Sequence, residues 1–263
     1  IGLDHLDWLP ENERTTKKII FEKTSTLLNS NIIIAKQNSY EIVNEIKNSI
    51  AKNSSKKYFF NEDYNYLLNE NGFIYYEDKD GEIKLPIPKV KGQFQLENIS
   101  TAIVTLRSIG QLQVSEKHIK DGVTKIKSIG RLQEISSGKL KELVKNNKLL
   151  VDGSHNPLGA KVLNEYLESL NCNKHIILGM MRNKNHNDYM SYFKNISSLT
   201  TIDIPNQPNS IKGKVLKSKI NSFENVQYKE SIVDAIKSIP VKGNDIILIT
   251  GSLYLAGEVL NLN

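Results

Sequence analysis

The sequence predicts an α/β protein in two parts, the second built on a mostly parallel, doubly wound sheet. From residue 148 onward, short apolar runs alternate with helical patterns, which is typical of βαβ crossovers. Before residue 128 the pattern is mixed and includes a hairpin signal, Asp78-Lys79-Asp80-Gly81. The stretch Ser128-Ile129-Gly130-Arg131 breaks the pattern between them. We therefore expect one domain over residues 1–127 and a second over residues 128–263.

The elements of the first part follow from apolar spacing and from turn residues. Apolar residues at helical spacing favour helices, and short apolar runs bounded by turn residues favour strands. Gly110 suits a helix end, and Ser115 suits the cap of the next helix. The expected helices cover residues 11–28, 40–50, 92–109 and 115–126, and the expected strands cover residues 31–35, 57–60, 72–76 and 83–87.

In the second part the predicted strands and helices alternate. Pro157 suits the first turn of a helix, because its missing N–H would be unpaired there in any case. The last helix opens at Gly251-Ser252-Leu253-Tyr254 and ends near Leu262. The expected strands cover residues 148–152, 175–180, 200–204, 226–228 and 245–250, and the helices between them cover residues 158–170, 187–194, 212–220 and 231–239.

Composition limits the classes of partner. The 263 residues carry a net charge of +6, a modest positive field that suits small anionic ligands. Basic stretches with interleaved aromatic residues are missing, so we expect no nucleic acid partner. The single cysteine, Cys172, cannot form an internal disulfide, which indicates a reducing, cytoplasmic setting. The sequence has no secretory leader and no apolar run long enough to cross a bilayer, so we expect no membrane partner.

The chain is organised around the stretch from Leu149 to Pro157, where an apolar run ends in an acid and a Gly-Ser-His-Asn-Pro turn leads into a helix. In a parallel α/β sheet this order puts Asp152, His155 and Asn156 at the carboxyl end of a strand, where such sheets bind ligands. The N–H groups at the start of the helix can face an anion. A purely structural turn with a solvated histidine is the alternative.

Other residues are candidates for chemistry, each with a structural alternative. The imidazole of His5, which follows Asp4, could bind a metal or orient a phosphate, or it could be satisfied by nearby backbone. Gln95 and Asn98 form an amide pair that could read a purine edge, although Asn98 could instead cap its own helix. Arg131 could place a guanidinium on a phosphate, or it could be an ordinary hinge arginine.

Two further sequence features concern phosphate binding. Gly251-Ser252 follows an apolar strand and repeats the pattern of the turn after Asp152, which is compatible with phosphate binding. A simple strand-to-helix turn is the alternative. The sequence contains neither Gly-x-Gly-x-x-Gly nor a Walker A loop, so nothing in it indicates a dinucleotide fingerprint or a P-loop.

Seven short stretches carry a resemblance that spans nearly the whole chain. Taken in order, they resemble the folylpolyglutamate synthase/dihydrofolate synthase family of the Mur ligase superfamily. This resemblance implies that residues 1–127 are an incomplete central ATPase domain and that residues 128–263 are a Rossmann-like glutamate ligase domain. The stretches are Ile1-Gly-Leu-Asp-His5-Leu-Asp-Trp-Leu9, Phe21-Glu-Lys23, Gly92-Gln-Phe-Gln95-Leu-Glu-Asn98, Gly130-Arg131-Leu-Gln133, Asp152-Gly-Ser-His-Asn-Pro157, Gly179-Met-Met181 and Gly251-Ser-Leu-Tyr-Leu-Ala-Gly-Glu258.

The resemblance implies an ATP-dependent amide ligase that joins L-glutamate to dihydropteroate or to the γ-carboxylate of a folate. In this family ATP phosphorylates the carboxylate of the pterin substrate, and the glutamate amine attacks the resulting acyl phosphate. The cofactors implied are ATP and Mg²⁺. The partners implied are these small molecules, and we expect a monomer.

The resemblance also assigns residue roles. His5 corresponds to a magnesium ligand, and Lys23 to a lysine that becomes carbamylated and supports magnesium. Asn98 corresponds to the adenine contact. Arg131 and Asp152 correspond to contacts with the ATP phosphates and ribose. His155 corresponds to a histidine close to the reacting phosphate.

The sequence departs from the family pattern in places. Pro10-Glu11-Asn12 stands where the family has glycine, and Thr24-Ser25 follows Lys23 where Ala-Gly is customary. The chain starts at Ile1 without the phosphate loop, so we expect it to be the C-terminal part of a longer protein and inactive alone. A non-catalytic nucleotide-binding module and a cell-wall Mur ligase remain the alternatives.

Overall fold

A computed structural model of the chain describes residues 1–2, 9–27, 30–240 and 242–263. The chain forms two compact units. Unit 1 comprises residues 1–89 and 93–127, and unit 2 comprises residues 90–92 and 128–263. No helix in these residues is both long and apolar enough to cross a membrane.

Unit 1 contains two small sheets and four helices within its described residues. One sheet is a parallel pair, β1-β2, and the other is an antiparallel meander in the order β3-β4-β5. An apolar cluster that includes Ile20, Ile46 and Phe59 packs α1 and α2 against the parallel pair. The elements are α1 (Thr16–Thr24), β1 (Ile32–Ile34), α2 (Tyr40–Ser49), β2 (Lys57–Phe59), β3 (Tyr64–Leu68), β4 (Ile74–Asp78), β5 (Gly81–Leu85), α3 (Gln93–Ser108) and α4 (Glu116–Lys125).

The predicted hairpin is confirmed, and its two strands, β4 and β5, pair on either side of the expected turn. Asp78 pairs with Gly81 across Lys79-Asp80, and the Asp80 N–H donates to Asp78 Oδ1 at 2.9 Å. The sequence analysis missed β3, which pairs with β4 so that Tyr66 faces Tyr76. This strand is stabilised by pairing with β4, the next strand along the chain, rather than by a strong apolar alternation of its own.

The helix predicted over residues 11–28 was too long. Glu11–Glu13 form a 3-10 turn, and α1 starts only after Thr15, whose side chain accepts a hydrogen bond from the Lys18 N–H at 3.2 Å. A threonine that satisfies an otherwise unpaired N–H is a strong start signal, so it sets the helix boundary.

Unit 2 is a six-stranded sheet with helices on its connections, which confirms the predicted α/β fold. The strand order is β10-β9-β8-β11-β7-β6, and all neighbouring pairs are parallel except β6 with β7. The elements are β6 (Gln133–Ile135), α5 (Lys139–Val144), β7 (Lys148–Val151), α6 (Pro157–Glu168), β8 (Lys174–Leu178), α7 (His186–Ser191), β9 (Ser198–Ile202), α8 (Gly213–Lys219), β10 (Val226–Lys229), α9 (Ile232–Ser238), β11 (Ile246–Thr250) and α10 (Leu253–Leu262).

The sequence analysis missed the antiparallel edge strand β6 and the short helix α5. Both are short, three and six residues, so neither shows a full period of its pattern in the sequence. They form because β7 offers a free edge to β6, while Leu140 and Val144 of α5 enter the apolar core of the unit.

The connection from β7 to β8 leaves room between them for β11, which the chain reaches last. The strand order therefore changes direction around β11, and the carboxyl ends of β7, β8 and β11 lie side by side. Open α/β sheets bind ligands at such a point.

Candidate active site

The turn after β7 lies at this edge of the unit 2 sheet, as the sequence predicted. Asn156 caps α6, because its Oδ1 accepts a hydrogen bond from the Gly159 N–H at 2.7 Å, and Pro157 is the first helical residue. Pro157 is the start signal expected from the sequence, whereas the Asn156 cap was not predicted.

The Asp152 carboxylate ties two turns together. Its Oδ2 accepts from the Leu132 N–H at 2.8 Å, and its Oδ1 accepts from the Ser154 N–H at 2.7 Å. Only 4% of Asp152 is exposed. A buried carboxylate that accepts backbone N–H groups makes strong, charge-assisted hydrogen bonds. Asp152 therefore holds the turn that contains Arg131 beside the turn that contains His155.

The turn around Arg131 has an unusual backbone. Gly130 has φ 64° and Leu132 has φ 45°, which is left-handed space that leucine rarely adopts. The Gly130 carbonyl accepts from the Gly153 N–H at 2.7 Å. Gly153 also needs to be glycine, because a Cβ there would lie 2.3 Å from a side-chain carbon of Leu253. These contacts and the Asp152 bond hold Leu132 in its strained conformation.

The Arg131 guanidinium has no hydrogen-bond or ion-pair partner among the residues that the structure describes, and the residue is half-buried. Its backbone is nevertheless fixed, because the Arg131 N–H donates to the Ser128 carbonyl at 3.2 Å. A guanidinium on a held backbone is suited to bind a carboxylate or a phosphate.

His155 lies between two anchored neighbours. Its Nδ1 is 3.1 Å from the Gly153 carbonyl oxygen, and it donates there in the tautomer that carries the Nδ1 proton. Ser154 before it is bound to Asp152, and Asn156 after it caps α6. The half-buried imidazole therefore stands on a short segment whose neighbours on both sides are held.

The turn after β11 is a strand-to-helix connection of the same kind. Ser252 caps α10 by accepting from the Tyr254 N–H at 3.1 Å. Gly251 has φ 107°, and a Cβ there would lie 2.6 Å from the Gly179 carbonyl oxygen, so glycine is required. The Ser252 hydroxyl caps its own helix, as the structural alternative supposed.

Two residues of this region were not found from the sequence. Tyr189 of α7 and Thr250 of β11 are both fully buried, and their hydroxyl oxygens lie 2.8 Å apart. The Ser154 hydroxyl is 2.9 Å from the Tyr189 oxygen. No signal in the sequence connects these three residues, which lie far apart along the chain.

In unit 1, Lys23 is an exposed residue in the last turn of α1. Lys23 lies near Ile1 in the fold. The predicted magnesium ligand His5 falls outside the described residues.

Gln95 and Asn98 lie together near the start of α3. Asn98 Nδ2 donates to Gln95 Oε1 at 3.3 Å, so the predicted amide pair is present. Gln95 is 6% exposed, whereas Asn98 is exposed. Asn98 is the sixth residue of α3 rather than its cap, so the structural alternative for this residue was wrong.

A cavity of about 370 Å³ opens elsewhere in unit 1, beside the β4–β5 hairpin. Its wall includes Asp78, which accepts from Arg107 Nη1 at 2.9 Å and from the Tyr76 hydroxyl at 2.6 Å. Burial, and then the hydrogen bond to Asp78 and its charge, raise the pKa of Tyr76. None of the described candidate residues lines this cavity, so its size alone does not make it the active site.

The described residues contain no group of three histidine, cysteine, aspartate or glutamate side chains that could hold a metal ion. The resemblance implies a ligand that such a group of side chains would not include, since Lys23 would bind a metal ion only after carbamylation.

Comparison with known proteins links this chain to one family. The profile of the family described as "Mur ligase, glutamate ligase domain" matches residues 130–253. Folylpolyglutamate synthase of Lacticaseibacillus casei is 26% identical over 193 residues, which cover 70% of this chain and 42% of that protein. Dihydrofolate synthase/folylpolyglutamate synthase of Buchnera aphidicola is 24% identical over 281 residues, which cover 99% of this chain and 60% of that protein.

Solved structures have the same fold. Mycobacterium tuberculosis folylpolyglutamate synthase, complexed with ADP and AMPPCP, superposes with a TM-score of 0.82 at 18% identity, over 100% of this chain and 62% of that one. Escherichia coli FolC, in complex with DHPP and ADP, superposes with a TM-score of 0.79 at 23% identity, over 99% of this chain and 59% of that one.

The chain therefore spans less than two thirds of the length of these relatives. The profile covers most of unit 2, and the relatives extend the match through unit 1. On these matches, residues 130–253 match the glutamate ligase domain of the Mur ligases, and the chain is similar to folylpolyglutamate synthases and dihydrofolate synthase/folylpolyglutamate synthases.

Proposed function

We propose that the protein carrying this chain is an ATP-dependent ligase that joins L-glutamate to dihydropteroate or to the γ-carboxylate of a folate. The observation that carries the proposal is the pair of linked turns in unit 2. There the Asp152 carboxylate joins the turn of a guanidinium without a described partner to the turn of an imidazole. The names of the relatives supply the substrate class.

The reaction needs a phosphoryl group to pass from ATP to a substrate carboxylate. Catalysis of such transfers depends mainly on positioning and on stabilising negative charge. We assign Arg131 to the ATP phosphates, because its guanidinium matches phosphate geometry and its backbone is held. We assign His155 to the neighbourhood of the reacting phosphate.

Asp152 has a more specific role in this proposal than a nucleotide contact. Both of its oxygens already accept backbone N–H groups, from Leu132 and Ser154. Each oxygen can still accept a second hydrogen bond, so a ribose contact stays compatible with this arrangement. We propose that the main role of Asp152 is to position Arg131 and His155.

The remaining assignments concern unit 1. The Asn98 amide, held by Gln95, is the proposed adenine contact. Carbamylated Lys23 and His5 are the proposed protein ligands of Mg²⁺. The carbamate suits the ion, because magnesium in phosphoryl transfer usually takes one or two carboxylate-type ligands and completes its shell with phosphate oxygens and water. When bound, the ion neutralises charge on the phosphates.

The next step joins the two substrates. The glutamate amine attacks the acyl phosphate carbonyl, the C–N bond forms, and phosphate leaves with its bonding electron pair. The amine must lose a proton, and we assign its acceptance to a neutral His155.

The test is a ligation assay on the protein as it occurs in the cell. It is supplied with ATP, Mg²⁺, labelled L-glutamate, and either dihydropteroate or tetrahydrofolate. ADP release and a product heavier by one glutamate should both require all the substrates. ATP binding without any product would instead favour the non-catalytic module, and product formed only with UDP-muramyl peptides would favour a cell-wall ligase.

A further inference from the structure

Three hydroxyl groups form a closed cluster at the carboxyl edge of the unit 2 sheet, and we call Ser154, Tyr189 and Thr250 the hydroxyl cluster. The oxygens of Ser154 and Tyr189 are 2.9 Å apart, those of Tyr189 and Thr250 are 2.8 Å apart, and those of Ser154 and Thr250 are 3.4 Å apart. The three residues come from the turn after β7, from α7 and from the end of β11.

Mutual hydrogen bonding in the hydroxyl cluster connects its three elements rigidly. Each hydroxyl donates one hydrogen bond and can accept two, so three of them can satisfy one another in a ring. Tyr189 and Thr250 are fully buried, where such bonds are strong and where an unmade one is costly. Burial raises the pKa of Tyr189, and its two hydrogen bonds only partly offset this, so the phenol keeps its proton at neutral pH.

The tie acts on the residue next to His155. Ser154 is bound at two atoms, since its N–H donates to Asp152 and its hydroxyl meets Tyr189. Loss of the second contact leaves the Ser154 hydroxyl with only the longer contact to Thr250, at 3.4 Å. The side chain is then able to rotate, and the turn can shift between its remaining anchors.

We infer that the Tyr189 hydroxyl is a positioning group for the ligation reaction, because it fixes Ser154 and thereby the imidazole of His155. The inference rests on the proposed function for its effect on rate. Its structural part, that Tyr189 sets the environment of His155, is independent of that function. The effect falls on the rate of the chemical step rather than on substrate affinity, because Tyr189 is buried and cannot touch a substrate.

The Tyr189 ring and the Tyr189 hydroxyl have separable roles. The ring packs against Phe193, with centroids 5.4 Å apart, and fills the space beneath the turn. Tyr189→Phe keeps this packing and removes only the oxygen. Tyr192→Phe is the matched control, because it makes the same chemical change near the end of the same helix on an exposed residue.

The experiment compares the two variants with the parent in the ligation assay and by NMR of the histidine rings. In Tyr189→Phe we expect kcat to fall roughly ten- to a hundredfold, the cost of a small misplacement of a catalytic group, with KM for ATP little changed. The His155 ring resonances and their pH titration should move in Tyr189→Phe. Tyr192→Phe should match the parent in every measurement.

Ser154→Ala provides the second variant, because it removes the tie while Tyr189 and Thr250 still bond each other. It should reproduce the loss seen in Tyr189→Phe, and the double variant should lose no more than either single one. This keeps the inference testable even where Tyr189→Phe folds poorly.

Two results would overturn the inference. One is a Tyr189→Phe protein with parental kcat and parental His155 resonances but a lower melting temperature, since the hydroxyl would then serve stability alone. The other is a double variant whose losses simply add. A parent that ligates nothing would refute the proposed function instead, and the NMR comparison would still decide whether Tyr189 positions His155.

Discussion

Unit 2 and unit 1 hold their candidate residues in different ways. In unit 2, Asp152 is buried, and the hydrogen bonds that its two oxygens accept hold the backbone around Arg131 and His155. In unit 1, Lys23 and Asn98 are exposed on helix surfaces. The difference teaches that unit 2 can order its part of a site from its own contacts, which lowers the cost of positioning at the moment of reaction. The positions of the unit 1 residues depend on the helices that carry them and, for Asn98, on one hydrogen bond to Gln95.

The comparison predicts that substitutions in unit 2 differ in effect according to the burial of the residue. Replacing a residue without described partners should lower activity alone, whereas replacing a buried, hydrogen-bonded residue should also lower stability. Arg131→Ala should give the largest loss of activity, because no described residue depends on this guanidinium while a phosphate would. We expect kcat/KM to fall roughly 10²- to 10³-fold, about 3–4 kcal/mol, as for removal of one donor to a developing charge. Arg131→Lys should recover only part of it, because lysine cannot bind bidentately.

Steady-state kinetics and a thermal melt check the Arg131 prediction together. A parental melting temperature together with the expected loss of kcat/KM would support a role of Arg131 in activity and not in stability. Parental kinetics would remove Arg131 from the site.

Lys23→Ala tests the unit 1 side of the comparison. We expect activity to fall by roughly tenfold or more, because a carbamate ligand would be lost, while the melting temperature stays unchanged on an exposed surface. Removal of dissolved CO₂ should lower the activity of the parent reversibly, and bicarbonate should restore nothing in the variant.

Lys17→Ala is the matched control for Lys23→Ala. Lys17 lies on the same helix and makes only a surface ion pair with Glu45, at 3.8 Å. Equal activity in both variants would disprove the carbamate role.

Asp152→Asn should lower both activity and stability, unlike Arg131→Ala. An asparagine keeps one acceptor oxygen, so its amide group would face one of the two N–H donors, from Leu132 or Ser154. We expect the free energy of unfolding to fall by about 1–3 kcal/mol. Denaturant unfolding measures this change, and an unchanged midpoint would mean that Asp152 does not tie the turns.

Asp245→Asn should affect stability alone and has the smallest expected effect. Asp245 lies just before β11, at the amino end of the sheet, and is 3% exposed. Burial raises its pKa, but hydrogen bonds from the Lys242 N–H and Asn173, together with the nearby imidazole of His175, outweigh burial and leave the pKa below its usual value.

The sign of the pH dependence follows from that lowered pKa. Asp245 stabilises the fold at pH values above its unfolded pKa of about 4. This contribution is lost as the pH falls through the lower pKa of the folded state. Asp245→Asn should therefore cost about 1–2 kcal/mol at neutral pH and progressively less in acid. Ligation kinetics should be parental, and a large loss of activity would contradict the contrast with Asp152.

The local structure of the site was largely predictable from the sequence. The apolar run before Asp152 predicted a strand, and Pro157 predicted a helix start, because proline acts on the backbone within a few residues. Asp152 looked like a ligand, whereas its carboxylate also ties two turns together. That function needs Leu132, which is twenty residues away in the chain.

What the sequence determined by itself was local: the α/β alternation, the hairpin at Lys79-Asp80, and the strand–turn–helix around His155. These depend on periodicity, capping and turn residues, which act between near neighbours. The tertiary structure alone decided that β11 lies beside β7 and that Ser154, Tyr189 and Thr250 meet. The physical reason is that packing of the sheet and burial of its hydroxyls couple residues whose separation in the chain leaves no pattern to read.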